Sequence, residues 1–569
     1  MTTTALAARG GKILVDALVT HGVDRAFCVP GESYLAVLDA LYDVRDHLEL
    51  IVCRQEGGAA FMAEAYGKLT GKPGICFVTR GPGASNASIG VHTAQQDSTP
   101  MILFVGQVGG DVVEREAFQE IDYRRMFGPM TKWVAQIDRT ERIPEMVSHA
   151  FHLAMSGRPG PVVLALPEDM LMNEVVAPSA VAFQRVAANP ASRDMAQLRN
   201  MLISSVKPLL ILGGGGWTAE ACRHIQRFAE RNNLPVACSF RRQDLFDNRH
   251  ELYVGDIGIG IAPALQQRVR QADLLIVAGA RLGEMTSGGY ALFGVPRLDQ
   301  RLVHVHPGAE ELGRVYQADL LINSGMPEFA EWTAILGPVE TQNWEAWTQS
   351  AHQDYLQNRA PVAVPGTLNM SEVVTWLSQT LPHDAIITNG AGNFSGWVQR
   401  FYQYGGFRTQ LAPTNGAMGY GVPAAIAAKA TYPERVVIAF SGDGDFMMNG
   451  QELATAVQYD LPVIIFVVNN GMYGTIRMHQ ERDFPARVHG TTLRNPDFAA
   501  LARAYGAHGE TVATNADFIP AFERAVASGK PAIIELRIDP DVITTRTTLT
   551  AIRAKALEAS QANDQKPTA

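Results

Sequence analysis

Val436-Val-Ile-Ala-Phe-Ser-Gly442-Asp443-Gly444-Asp445 is an apolar, β-branched run that ends in glycine-flanked carboxylates. Such a run predicts a buried strand of a parallel sheet, with its tip at the carboxyl edge where α/β folds bind ligands. A second run, Val463–Val468, predicts a companion strand and ends in Asn469-Asn470-Gly471. Gly442 and Gly444 let backbone amides approach a phosphate, and Asp443 offers a hard ligand to the divalent ion that neutralises it. One carboxylate, one amide oxygen, a backbone carbonyl and diphosphate oxygens complete an octahedral magnesium shell. Gly-Asp-Gly alone is more often a turn. The second strand ending in Asn-Asn is what favours the metal reading.

The same alternation of strand and helix runs along the whole chain. Gly74–Thr79, Met101–Val105 and Pro161–Leu166 alternate with helix-period segments such as Gly58–Thr70, the mark of βαβ units and an α/β class. The chain also repeats itself. Asp97-Ser-Thr-Pro-Met-Ile-Leu-Phe-Val105 reads like Asp460-Leu-Pro-Val-Ile-Ile-Phe-Val-Val468, and Ser156-Gly-Arg-Pro-Gly-Pro-Val-Val-Leu164 like Ser528-Gly-Lys-Pro-Ala-Ile-Ile-Glu-Leu536. Two matches in the same order predict two related domains, at 1–180 and 360–545. Leu209–Gly213, Ala272–Gly279 and Leu302–His306 predict a third parallel sheet within 190–340. The expected architecture is therefore α/β, three doubly wound parallel-sheet domains. Asn173–Arg193 and Gly337–Thr367 are read as linkers, and 546–569 as a tail that is polar and frayed from Leu557.

With 569 residues the chain exceeds one core, at ~150 residues per domain. Charged residues are 18%, so much surface is expected to be buried between domains or subunits. The 48 basic and 57 acidic residues give a net charge of -9 without a long basic run, which argues against nucleic acid as a partner. Five cysteines, never spaced as CxxC, argue against disulfides or a thiolate zinc site and suggest a reducing cytoplasm. Asp16 interrupts the apolar stretch near the start, and no run approaches the ~18 residues of a membrane span.

These motifs resemble the thiamine diphosphate (ThDP) enzymes of the acetolactate synthase, pyruvate oxidase and benzaldehyde lyase group, nearest the acetolactate synthase large subunits. The resemblance covers essentially residues 10–545. It implies pyrimidine-binding, central and diphosphate-binding domains in that order, which the internal repeat suggests independently. Carried over residue by residue, it implies Asp443, Asn470 and the Met472 carbonyl as metal ligands. Gly390, Gly392, Asn393 and Phe394, with Gly442, Gly444, Asp445, Tyr473 and Gly474, resemble the diphosphate cradle. Met418 matches the residue that props the cofactor into its bent shape, and the Gly416 carbonyl the acceptor of the pyrimidine amino group.

Glu56, just after the predicted strand Leu50–Cys53 and at the mouth of a small-residue helix, is at its plainest a helix-starting carboxylate. By resemblance it is the activating glutamate, a protonated carboxyl that drives the pyrimidine into its imino form and needs an apolar site. Gly31, Pro82 and Asn86 match positions around the pyrimidine. Because Glu56 and Asp443 belong to different copies of the repeat, the resemblance implies a homodimer or homotetramer with active sites at the subunit interface.

Phe118 and Gln119 resemble the Phe-Gln pair that synthases bring to the substrate. Arg80 stands where synthases have serine, and either faces a substrate carboxylate or forms a structural salt bridge. Glu32 replaces a synthase glycine and is either a proton relay or an outward loop residue. Thr475, Ile476 and His479 line the expected substrate pocket. His479 replaces a synthase tryptophan, and Ile476 occupies the glutamate position of pyruvate decarboxylases. Met285 replaces the arginine directed at FAD, so tight FAD binding is not expected. The resemblance implies a 2-oxo acid decarboxylase and carboligase that forms a C2-bound enamine and passes it to a proton or carbonyl. Alternatives are a carbon–carbon lyase of the benzaldehyde lyase or 2-hydroxyacyl-CoA lyase type, acting on a 2-hydroxy carbonyl, and a non-catalytic ThDP-fold binding or regulatory subunit.

Overall fold

The computed structural model describes residues 7–339 and 343–564. The first six residues, residues 340–342 of the second expected linker and the last five of the expected tail lie outside the described residues.

A short antiparallel pair, β1 (Ala8–Arg9) with β8 (Glu174–Val175), brackets the first domain. Between them lie β2 (Arg25–Cys28), β3 (Glu49–Val52), β4 (Gly74–Val78), β5 (Met101–Gln107), β6 (Trp133–Gln136) and β7 (Pro161–Pro167). They form one parallel sheet in the order β3-β2-β4-β5-β7-β6. The third sheet holds β15 (Ile386–Asn389), β16 (Gln410–Leu411), β17 (Val437–Gly442), β18 (Ile464–Asn469), β19 (His508–Val512) and β20 (Ala532–Arg537), in the order β16-β15-β17-β18-β20-β19. Numbered from its own first strand, each sheet runs second, first, third, fourth, sixth, fifth.

The two repeated sequence segments fall on the fourth and sixth strands of both sheets. Even the packing recurs: Phe77 pairs with Phe104 across the third and fourth strands of one sheet, and Phe440 with Phe466 in the other. The ring centroids are 4.9 and 5.0 Å apart. Such pairs add specific ring–ring attraction to area burial.

The central sheet comprises β9 (Pro208–Leu212), β10 (Val236–Ser239), β11 (Tyr253–Ile257), β12 (Leu274–Ala278), β13 (Arg301–His306) and β14 (Leu320–Asn323). Its order, β11-β10-β9-β12-β13-β14, reverses direction between β9 and β12, as in doubly wound dinucleotide-binding folds. The described residues divide into two compact units, one carrying the first and central sheets, the other the third sheet with Asp247–Arg249. Among the described residues no helix is long and apolar enough to cross a membrane.

Two expectations about connections change. The second linker contains the helix Glu345–Asn358, preceded by the fully buried Trp344, whose indole N–H donates to the Asn232 carbonyl at 2.9 Å. The expected tail contains the helix Leu549–Asp564. Long-range anchoring, invisible in a polar stretch of sequence, orders both.

Candidate active site

Gly442 on β17 pairs with Val468 on β18, so Asp443 and the Asn469-Asn470 pair leave adjacent strand tips. The chain turns at once into the helix Asp443–Asn449. Asp443 is buried, and that burial raises its carboxyl pKa above the ordinary aspartate value. Its Oδ2 accepts from the Gly471 amide at 2.9 Å and from Asn495 Nδ2 at 2.7 Å, and its Oδ1 from the Gly444 amide at 3.0 Å. With about two lone-pair sites per carboxylate oxygen, Oδ2 is filled while Oδ1 retains one position. Asn495 is itself held by Asn469 Oδ1 at 2.9 Å, and Asn469 donates to the buried Glu535 at 2.7 Å. Asn470 Oδ1 faces the Met472 amide at 3.2 Å.

The cradle expected around Asp445 is assembled by that residue. Its Oδ1 accepts from the amides of Ala391 (3.0 Å) and Gly419 (2.9 Å), fastening the loop of Gly390, Gly392, Asn393 and Phe394 and the turn of Gly416 and Met418 to one helix start. A Cβ on Gly390 would lie 2.1 Å from that oxygen, and one on Gly444 would lie 2.5 Å from the Tyr473 ring. A side chain at either position would have to displace its neighbour. Asn393 and Thr475 exchange two hydrogen bonds of 3.0 Å, which joins the cradle to the helix Gly474–Asp483. Met418 is half-buried.

On that helix Ile476 is 55% exposed, an open apolar side chain on the segment expected to meet substrate. His479 Nδ1 is buried and finds no hydrogen-bond partner among the described residues. The helix is held from the far side by Glu481, which is fully buried and accepts from Arg477 (3.0 Å), from Arg553 Nε (2.7 Å) and Nη2 (2.6 Å), and from the Ala486 amide (3.0 Å). Arg553 lies on the helix Leu549–Asp564, so this carboxylate locks the C-terminal helix to the segment carrying Thr475, Ile476 and His479. The arginine hydrogen bonds, led by Arg553, lower the Glu481 pKa to about 2.

In the first domain Glu56 opens the helix Glu56–Thr70, whose cap is the Gln55 side chain accepting from the Gly58 amide at 3.1 Å. Small residues along it permit close contact with the helix Gly81–Asp97: a Cβ on Gly90 would lie 2.4 Å from Ala60 Cβ. That approach brings Asn86 Nδ2 to 2.8 Å from Glu56 Oε2. The apolar enclosure expected for Glu56 is only partly formed within its domain, where the side chain is half-buried. Gly31 packs on Thr79, and Pro82 and Asn86 are exposed on the first turns of the second helix.

Arg80 is 8% exposed and forms a salt bridge with Glu168 at 2.5 Å. It also donates to the Phe118 carbonyl at 3.4 Å, while the Gly81 amide donates to the Gln119 carbonyl at 2.9 Å. Its charge is thus already paired, and its contacts anchor the Phe118–Gln119 loop. Glu120 organises that loop from within, accepting from the amides of Glu114 (2.8 Å) and Ala117 (3.1 Å). Glu114, Glu116 and Gln119 all adopt positive φ. Phe118 is 71% exposed, and Gln119 lines an open cleft of about 370 Å³. Glu32 is exposed at the start of the turn Glu32–Tyr34.

Sequence reading did not find Asn495, Glu481, Glu168 or Glu120. Asn495 lies 52 positions from Asp443 and Glu168 lies 88 from Arg80, so no local spacing announces either.

Three family models match the chain: the N-terminal TPP binding domain of thiamine pyrophosphate enzymes over residues 8–126, their central domain over 195–331 and their C-terminal TPP binding domain over 390–536. The chain is 32% identical to the acetolactate synthase large subunit of Corynebacterium glutamicum, covering 94% of this chain and 87% of that protein. It is 30% identical to the acetolactate synthase isozyme 2 large subunit of Escherichia coli, covering 93% and 95%, and 30% identical to the probable acetolactate synthase large subunit of Methanocaldococcus jannaschii, covering 94% and 92%. Matches to all three domains, one on each of the three sheets, together with relatives at 30–32% identity over most of the chain, establish that the chain belongs to the thiamine pyrophosphate enzyme family.

Proposed function

We propose that the chain is a ThDP- and Mg²⁺-dependent enzyme that removes carbon dioxide from a 2-oxo acid and joins the remaining acyl unit to a proton or a second carbonyl compound, as an acetolactate synthase-like carboligase. The observation that carries this reading is the buried Asp443. Its hydrogen-bond partners are all neutral, its Oδ1 keeps an open coordination position, and Asn470 leaves the adjoining strand tip. A buried carboxylate hydrogen-bonded only to neutral groups calls for a cation, and one carboxylate with amide and carbonyl oxygens is a donor set suited to Mg²⁺. Asp443, Asn470 and the Met472 carbonyl would hold the ion. Gly390, Gly392, Asn393, Phe394, Gly442, Gly444, Tyr473 and Gly474 leave room for a diphosphate.

Bound ThDP supplies the nucleophilic carbon and the electron sink. Glu56 holds the activating proton: Asn86 donates to its Oε2, which directs the hydroxyl of the protonated carboxyl to Oε1. Met418 and the Gly416 carbonyl support the cofactor's shape and amino group. Phe118, Gln119, Thr475, Ile476 and His479 shape the space for substrate, and Glu32 delivers a proton when the product leaves as an aldehyde. Segments 1–180, 190–340 and 360–545 serve as pyrimidine-binding, central and diphosphate-binding domains. A homodimer or homotetramer brings Glu56 of one subunit to the metal residues of another.

One observation favours the lyase reading. Arg80, open in the sequence to either a 2-oxo carboxylate or a structural salt bridge, is engaged by Glu168. The deciding experiment presents the ThDP- and Mg²⁺-saturated protein with a panel of 2-oxo acids and acyloins, with gas release and product masses recorded. Carbon dioxide together with an acyloin or aldehyde is the expected result. Cleavage of a 2-hydroxy carbonyl without gas would establish the lyase instead, and inertness toward every compound would remove both.

A further inference from the structure

The loop Thr544–Thr548, between the third sheet and the helix Leu549–Asp564, lines a cleft of about 350 Å³ together with Val362, Val364 and Arg400. Arg400 sits on the helix Ser395–Phe401. Its Nε donates to the Asn358 carbonyl at 2.7 Å and its Nη1 to the Thr545 carbonyl at 2.6 Å. Arg546 Nη2 donates to the side-chain oxygen of the same Asn358 at 2.9 Å. Two guanidinium groups therefore converge on one asparagine, and every acceptor they use is uncharged. Neither forms a salt bridge among the described residues. Burial and the neighbouring Arg546 lower the Arg400 pKa to about 10, the direction expected for like charges without an intervening anion. The hydroxyls of Thr545 and Thr547, also in the cleft lining, make no hydrogen bond among the described residues.

Uncompensated charge at a half-buried position destabilises a fold unless something neutralises it, and the natural complement of paired guanidinium forks is an oxyanion. Two forks with two hydroxyls present more donors than a carboxylate's two oxygens use, but suit the oxygens of a phosphate. We propose that this cleft is a phosphate-binding site, formed by Arg400, Arg546, Thr545 and Thr547. The apolar side chains of Val362 and Val364 beside it offer a surface for the remainder of a phosphorylated molecule. None of these residues belongs to the diphosphate cradle around Asp445.

The test uses full-length protein saturated with ThDP and Mg²⁺, so that the cradle is filled, and reads binding without turnover. Potassium phosphate and ADP are titrated calorimetrically at constant ionic strength, with chloride as control. The expected result is saturable binding of at least one probe, weakened about tenfold by Arg546→Ala and further by Arg546→Glu, as loss of one charge-assisted partner implies. Arg546 is exposed, so these substitutions spare the core; Thr547→Val is the third variant and should weaken binding by a smaller factor. ADP binding much more tightly than phosphate identifies the site as a handle for a phosphorylated molecule, whereas equal affinities identify free phosphate as the ligand. Absence of saturable heat from both probes, or dissociation constants unchanged in all three variants, overturns the proposal.

Discussion

Replacing Glu481 by glutamine should release the C-terminal helix from the helix that carries Thr475, Ile476 and His479. The wild-type carboxylate accepts three arginine N–H groups and the Ala486 amide, and its pKa falls from 4.5 to about 2. At about 1.4 kcal/mol per unit this corresponds to roughly 3 kcal/mol, and the 36% exposure of the Arg553 side chain reduces it to about 2 kcal/mol through solvent screening. Glutamine keeps the shape but removes the charge, leaving Arg477 and Arg553 facing a neutral amide. Hydrogen–deuterium exchange followed by mass spectrometry isolates local opening from global unfolding. Amides of residues 549–561 should exchange about 30-fold faster in Glu481→Gln, the factor that about 2 kcal/mol implies.

The pH dependence follows from the depressed pKa. The folded lock binds fewer protons than the opened one, so its stability is complete above about pH 4.5 and declines as pH falls toward 2. Wild-type protection of residues 549–561, corrected for intrinsic exchange, should weaken across that window, and the glutamine variant should show no such component. Equal protection in the two proteins at neutral pH would refute the lock.

Glu56→Gln should retain ThDP yet lose at least ~10²-fold in cofactor C2 hydrogen–deuterium exchange, the scale of a missing general acid–base contribution; wild-type exchange would falsify the role given to Glu56. Asn495→Ala should weaken Mg²⁺ binding by about tenfold, as is typical for a residue that orients a metal ligand, while Asp443→Ala removes the Mg²⁺-dependent rise in melting temperature. Intact Mg²⁺ affinity in both variants would displace the metal site. Glu168→Gln, by unpairing the buried Arg80, should raise KM more than it lowers kcat through a loosened Phe118–Gln119 loop, and a pure loss of kcat would contradict that. The purified protein should be colourless, since Met285 stands where the synthases direct an arginine at FAD; a stoichiometric flavin spectrum after gel filtration would overturn this.

What the sequence by itself determined is everything written in short-range pattern. Apolar runs bounded by glycine marked the strands β17 and β18 and placed Asp443 and Asn470 at their tips, because strand burial and glycine-dependent turns depend on neighbours a few positions away. The internal repeat foretold two domains of one topology, and the two sheets have the same strand order with phenylalanines paired at the same place. The tertiary structure alone decided which polar groups meet. Arg80 was open to a substrate role or a salt bridge until the fold set it against Glu168. The segment 546–569 read as a polar tail until Arg553 reached Glu481, 72 positions earlier, whose carboxylate is buried away from water. Asn495 likewise acquires its role only by reaching Asp443 across the sheet edge. Such partnerships depend on desolvation and on distances through space, and a charged or amide side chain carries the same letter in solvent as in the interior.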